Sequence, residues 1–121
     1  MTTKTEAQVI SDVILSEEDG RYCRETRIIE AGTGGDTMAP GVILEPGSGT
    51  NKKRVVVAGN ATEICLEAGV IAASSTASFL VLARGPAVVK KAGLDYNSLT
   101  EATVDAALLA KDIVVRTGPT Y

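Results

Sequence analysis

The run Ser78-Phe79-Leu80-Val81-Leu82-Ala83-Arg84, stopped by Gly85-Pro86 and resumed as Ala87-Val88-Val89, decides the fold class of this 121-residue chain. Its aromatic and aliphatic centre suits a strand. Pro86 has no N–H to give to a ladder, so the strand ends there and a second short extended piece begins. The text upstream has the same grammar. Arg24 to Glu30 carries the β-branched residues of an exposed strand and stops at Gly32-Thr33-Gly34-Gly35-Asp36. Met38-Ala39-Pro40-Gly41 reads as a type II turn, with Pro setting the first central φ and Gly supplying the positive second one. Val42-Ile43-Leu44 follows, then the loop Glu45 to Asn51, then a strand over Lys53 to Ala58 that turns at Gly59-Asn60. Glu63 to Ala73 reads as strand with a bend or bulge at Gly69.

Downstream, the period changes. Ser98-Leu99-Thr100-Glu101 fits a capping box, and Leu99, Ala102, Ala106, Leu109 and Ala110 recur at helical spacing, predicting one amphipathic helix from Leu99 to about Lys111. Ile113-Val114-Val115 returns to strand. The expectation is a mainly β domain carrying one C-terminal helix, its sheet closed or nearly so, because many short strands otherwise leave edges.

The first stretch, to about Gly20, is different. Thr2 to Gln8 is polar, Val9-Ile10-Ser11-Asp12-Val13-Ile14-Leu15 is apolar and β-branched, and Ser16-Glu17-Glu18-Asp19-Gly20 is an acidic turn. Two readings are open: a first strand or short helix of the domain, or an arm that becomes ordered against a partner. The division adopted is an N-terminal arm over residues 1–20 and a β-rich domain over 21–121.

Composition removes much of the enzyme menu. There is no histidine, so neither Ser-His-Asp or Cys-His catalysis nor an imidazole metal site or pH switch can be built. Three Tyr, one Phe and no Trp leave no stacking platform for bases. A net charge of −3, from 12 basic and 15 acidic residues, argues against a general nucleic-acid binder. The N-terminus lacks the basic and apolar segments of a signal peptide. The longest uncharged apolar stretch, Ala68 to Leu82, is too short and too polar to span a bilayer. Cys23 and Cys65 read as two buried thiols rather than a disulfide. Neither Gly32-Thr33-Gly34-Gly35 nor Gly47-Ser48-Gly49-Thr50-Asn51-Lys52-Lys53 has the order or following helix of a phosphate loop, so both read as surface turns. Lys52-Lys53-Arg54 reads as a solvated strand entry, and Glu17-Glu18-Asp19 lacks the spaced ligands of a calcium loop. No catalytic, cofactor-binding or metal site is assigned.

Four segments, taken in order, resemble the head decoration (capsid cement) proteins of tailed bacteriophages, the lambda head protein D family. They are Arg24-Glu25-Thr26, Ala39-Pro40-Gly41-Val42-Ile43-Leu44, Val81-Leu82-Ala83-Arg84-Gly85-Pro86-Ala87-Val88-Val89, and Leu109-Ala110-Lys111-Asp112-Ile113-Val114-Val115-Arg116. They span about Ser16 to Arg116; Glu63 to Ser75 departs from the family's pattern. The resemblance implies a small barrel-like domain of β-tulip type with an extended N-terminal arm and no enzymatic activity. It further implies homotrimers on the outer surface of the expanded virion shell, at its three-fold positions, stabilising it against the pressure of packaged DNA. The implied partners are the major capsid protein and further copies of the chain, with no direct nucleic-acid or membrane contact and no cofactor. In that family the arm orders on the shell by adding as a strand; here Val9, Ile10, Val13, Ile14 and Leu15 would be its capsid-binding residues. Two other readings of the same barrel are a virion surface module for host attachment and a small ligand-binding barrel using carboxylates.

Overall fold

The computed structural model describes residues 13–17 and 23–117, with the backbone alone for residues 15–17. The protein is mainly β. Strands β1 (Ile14–Glu17), β2 (Arg24–Glu30), β3 (Asp36–Met38), β4 (Ile43–Pro46), β5 (Lys52–Arg54), β6 (Glu63–Cys65), β7 (Gly69–Ile71), β8 (Thr76–Leu82) and β9 (Ala87–Lys90) precede the one α-helix among the described residues, α1 (Glu101–Leu109). Strand β10 (Ile113–Arg116) follows it. Short 3-10 turns occupy Ala58–Asn60 and Lys91–Gly93.

Strands β2, β5, β4, β6 and β8, in that order, close into a barrel. The long antiparallel ladder of β2 on β8 runs from Arg24 opposite Leu82 to Glu30 opposite Thr76. The parallel contact of Ile29 with Lys52 completes the ring. Closure leaves no unpaired barrel edge, as the many short strands require. Outside it lie a three-stranded sheet, ordered β1-β9-β10, and the two-stranded ribbon β3-β7.

The composition of β8 now has its reason. Phe79 and Val81 point into one apolar cluster, with Ile29, Leu44 and Cys65 from the other barrel strands and Met38 and Ile71 from the ribbon. Leu82, with Leu80 packed beside it, points into a second cluster, with Ile43 and Ile64 from the barrel, Val89 and Ile113 from the outer sheet, and Val104 and Leu108 from α1. A strand between two cores is apolar on both faces and shows no alternation. At about 25 cal/mol per Å² of apolar area removed from water, these aliphatic contacts hold the fold together, with Phe79 the one phenyl ring.

Local chemistry explains the breaks. Val42 N–H donates to the Ala39 carbonyl at 3.1 Å across Pro40-Gly41. Gly41 has φ of +104°, as a type II turn demands. The stretch Glu63–Ala73 divides into β6 and β7 and is not one bent strand. At the division a Cβ on Gly69 would lie 2.8 Å from the Phe79 ring, so the ring and the missing side chain define each other.

Two expectations for the helix are corrected. Thr100, not Ser98, is the N-cap, and no side chain caps the helix. Asn97 and Ser98 both adopt positive φ, which takes Ser98 out of capping position. The buried face is Val104 and Leu108, while Leu109 is 57% exposed and Ala102, Ala106 and Ala110 face outward. Both stripes have helical spacing, but they lie on opposite sides of the cylinder. Val104 and Leu108, at i and i+4, are the side that docks onto the barrel and outer sheet.

Candidate partner-binding surface

The residues singled out as an arm divide at Val13. Val9 and Ile10 lie outside the described residues. Val13 is fully buried in the cluster between barrel, helix and outer sheet, and Ile14 packs against the same cluster. Lys90 N–H donates to the Val13 carbonyl at 2.7 Å, and Ile14 pairs with Val89. The register shifts between Ile14 and Ser16, which makes Leu15 the inserted residue of a bulge. In this structure Ile14–Glu17 form the first strand of the outer sheet and Val13 joins the core ahead of it, although both fall within the arm drawn over residues 1–20. Their β-branched side chains suit an internal sheet as well as a partner's edge, so composition alone left both readings open.

The sheet that receives β1 has two unlike faces. Ala87, Val89, Ile113 and Val115 turn inward onto the core. Val88 and Val114 stand in register on the outward face, followed two residues on by Lys90 and Arg116, also in register. Neither Val88 nor Val114 belongs to either core.

Most other charged residues that the sequence offered for chemistry are bound into the fold. Lys52 Nζ lies 3.9 Å from Glu63, Lys53 Nζ 3.5 Å from Glu45, and Arg54 contacts Asp36 at 3.0 Å and Asp95 at 2.8 Å. The expected solvated strand entry is therefore a set of ion pairs that joins β5 to β3, β4, β6 and the segment before α1. Arg54 also donates to the Thr37 carbonyl at 2.7 Å. Burial pulls its pKa down, but hydrogen bonds to Asp36 and Asp95 outweigh that and raise it above its ordinary value.

Glu45 and Glu63 are only 3% and 4% exposed, and each is satisfied. Glu45 Oε1 accepts from the Val56 and Val57 amides at 3.0 and 3.1 Å; Glu63 accepts from Arg27 Nε at 3.2 and 3.3 Å. Sequence reading missed both carboxylates, whose partners lie from 8 to 36 positions away.

The glycine loop after β4 does gather donors, but on a carboxylate of its own chain. Ser48 N–H donates to Glu30 at 3.1 Å and Asn51 Nδ2 at 3.3 Å, and a Cβ on Gly47 would lie 2.8 Å from the Glu30 carboxyl. The Ser48 amide hydrogen bond leads the effects that hold Glu30 below the usual carboxylate range.

A last cluster ties α1 down. Tyr96 Oη donates to Asp105 at 2.6 Å, and Lys91 Nζ lies 3.2 Å from Asp105 and 3.3 Å from Glu101. Burial and then the Asp105 hydrogen bond push the Tyr96 hydroxyl upward, so it stays protonated. Hydrogen bonds to Asp105 and Glu101 raise Lys91.

Both cysteines are free and buried. Burial pushes the Cys65 thiol up to about 11, away from nucleophilic character. Among the described residues no three His, Cys, Asp or Glu gather as a metal ion would need, and no helix is long and apolar enough to cross a membrane.

No family model matches the chain, and no curated protein matches it significantly. The surface itself therefore carries the functional argument. Its distinctive part is the outer sheet, which receives the chain at Val13 and where apolar and cationic side chains share an outward face.

Proposed function

We propose that the chain is a structural virion protein. It binds the outer surface of the expanded head of a tailed phage as trimers at three-fold positions, holds neighbouring major capsid protein subunits together, and performs no catalysis. The observation that carries this reading is spatial: the four segments that resemble the decoration family meet in the fold. Arg24 and Glu25 pair with Leu82 and Val81, and Glu25 forms an ion pair with Arg84. Gly85 N–H donates to the Lys111 carbonyl at 2.8 Å and Ala87 N–H to the Asp112 carbonyl at 3.2 Å. A Cβ on Gly85 would collide with that Asp112 carbonyl. Val42 and Leu44 share a core with Val81, and Ile43 shares the other with Leu82 and Ile113. The resemblance thus covers one contiguous framework rather than scattered strings.

Under this reading the rigid barrel is the clamp, and the segment ahead of Val13, with Val9 and Ile10, is the reach. Ordering such a segment costs about 1–2 kcal/mol per residue of backbone entropy, so one arm binds weakly. Three arms on one trimer act at high effective concentration and hold firmly without new contacts.

The test is co-sedimentation with heads of the phage that carries the gene. The full chain should pellet with expanded heads and not with unexpanded ones. Deleting residues 2–12, which keeps β1, should leave the melting temperature unchanged and abolish decoration. Full occupancy by the truncated chain would overturn the role of the arm. Failure of the full chain to bind expanded heads would overturn the function.

A further inference from the structure

We infer that the ribbon of β3 and β7 is a latched flap: it opens off the Phe79 cluster as one unit while the barrel, the outer sheet and α1 stay folded, and Arg54 is the latch. Every contact that sets this equilibrium lies within the chain, so it stands apart from the proposed function.

The ribbon is built to move separately. Among the described residues its two strands pair with each other, Asp36 to Met38 against Ile71 to Gly69, and with no barrel strand. Met38 and Ile71 are each 1% exposed and pack in one cluster with Ile29, Leu44, Cys65, Phe79 and Val81. The other face, Thr37 and Val70, meets water, so no further layer of the described residues holds the ribbon down. Short turns join it to the barrel strands. Gly35 N–H donates to the Gly32 carbonyl at 3.0 Å before β3, and Ser75 N–H to the Ala72 carbonyl at 3.1 Å after β7. Turns at the ends of an element are where a hinge takes up its backbone rotation.

From the barrel, Arg54 of β5 grips the ribbon. Its Nε lies 3.1 Å from both carboxylate oxygens of Asp36, and its Nη2 donates to Asp36 at 3.0 Å and to the Thr37 carbonyl at 2.7 Å. On its other side Nη1 donates to Asp95 at 2.8 Å, which keeps the guanidinium aimed. Charge-assisted hydrogen bonds from a rigid fork are stronger than neutral ones, so one side chain can set the opening equilibrium. Stability within a domain is not uniform, and such a unit can open well before the whole unfolds. Each cluster carries a buried thiol as reporter: Cys65 in the ribbon's cluster, and Cys23 in the one shared with α1 and the outer sheet. Burial raises the Cys65 pKa and the Arg54 charge lowers it, so removing Arg54 leaves the thiol less acidic, and faster labelling then reports access alone.

The test is native-state labelling with iodoacetamide at pH 8, each thiol's rate divided by its own rate in denaturant, beside hydrogen exchange of the backbone amides. In the parent, Cys65 should stay protected over the minutes of an ordinary thiol assay, label over hours, and do so ahead of Cys23. The amides of residues 36–38 and 69–71 should exchange ahead of those in the β2–β8 ladder. Arg54→Ala should speed Cys65 labelling and ribbon exchange about tenfold, the low end for losing hydrogen bonds between charged groups, and leave Cys23 and the α1 amides as they were. Asp36→Asn keeps the shape of the side chain and should move the same rates in the same direction by less. Equal relative rates for Cys65 and Cys23 would mean that the ribbon opens only with the whole domain, and would overturn the flap. Cys65 ahead of Cys23 but unmoved by either variant would overturn Arg54 as the latch.

Discussion

Replacing Val13 by alanine asks whether the first strand is domain or arm. Val13 is fully buried, beside Ile14 and within the cluster that contains Val89, Val104 and Leu108. The substitution removes two methyl groups at about 0.8 kcal/mol each. With part of the cavity left unfilled, the expected loss is about 2 kcal/mol. For a domain of this size one kcal/mol moves the melting temperature by about 4 °C, so the free protein should melt about 8 °C lower. Thermal melting followed by circular dichroism, with urea midpoints as a second measure, reads this directly. Val9→Ala in parallel should leave melting alone and weaken head binding only. A shift below about 2 °C for Val13→Ala would refute the reasoning, because it would mean that β1 contributes nothing to the free domain.

Two further outcomes follow from side chains already placed. Leu108→Ala should cost about 2–5 kcal/mol in urea unfolding, while Leu109→Ala, on the exposed side of α1, should stay within about 0.5 kcal/mol; equal effects would mean that the helix face is misassigned. Cys65 has its thiol pKa raised to about 11 in the folded chain, against about 8.5 unfolded. The stability it contributes is therefore whole below pH about 8.5 and is lost as pH rises toward 11. Ellman's reagent at pH 8 should find no reactive Cys65 in the native protein and a reactive one in denaturant, and fast native labelling would contradict its burial.

The sequence and the structure agree where side-chain period and turn chemistry act locally. The strand around Val81, the turn at Pro40-Gly41 and the existence of a late helix all follow from neighbours within a few residues. Which side of α1 docks did not follow, because Leu99, Ala102, Ala106 and Leu109 match helical spacing as well as Val104 and Leu108 do. Only the shape of the barrel surface separates the two. The cap failed for a similar reason: the positive φ of Asn97 and Ser98 is set by the loop, in which Asn97 Nδ2 donates to the Val55 carbonyl at 2.9 Å. The candidate surface was less legible still. The charged residues read as solvated because their partners sit far off in the sequence, as Arg54 and Asp95 do, 41 positions apart. The row of Lys90 and Arg116 exists only through the parallel register of β9 and β10, which no local pattern encodes.

That register has a mechanical consequence. The described chain enters the outer sheet at Val13, next to Lys90, and leaves it at Arg116, in register with Lys90, so both ends of the domain emerge together across the single strand β9. Two strand spacings, about 10 Å, separate them. A load drawn through the segment ahead of Val13 along the strand direction would fall on the β1–β9 ladder in shear, sharing the force among its hydrogen bonds rather than peeling them singly. A cargo fused after Arg116 would leave beside that same load-bearing segment and crowd it. Attachment in the exposed loop around Gly49, on the hairpin of β4 and β5, would leave that exit open.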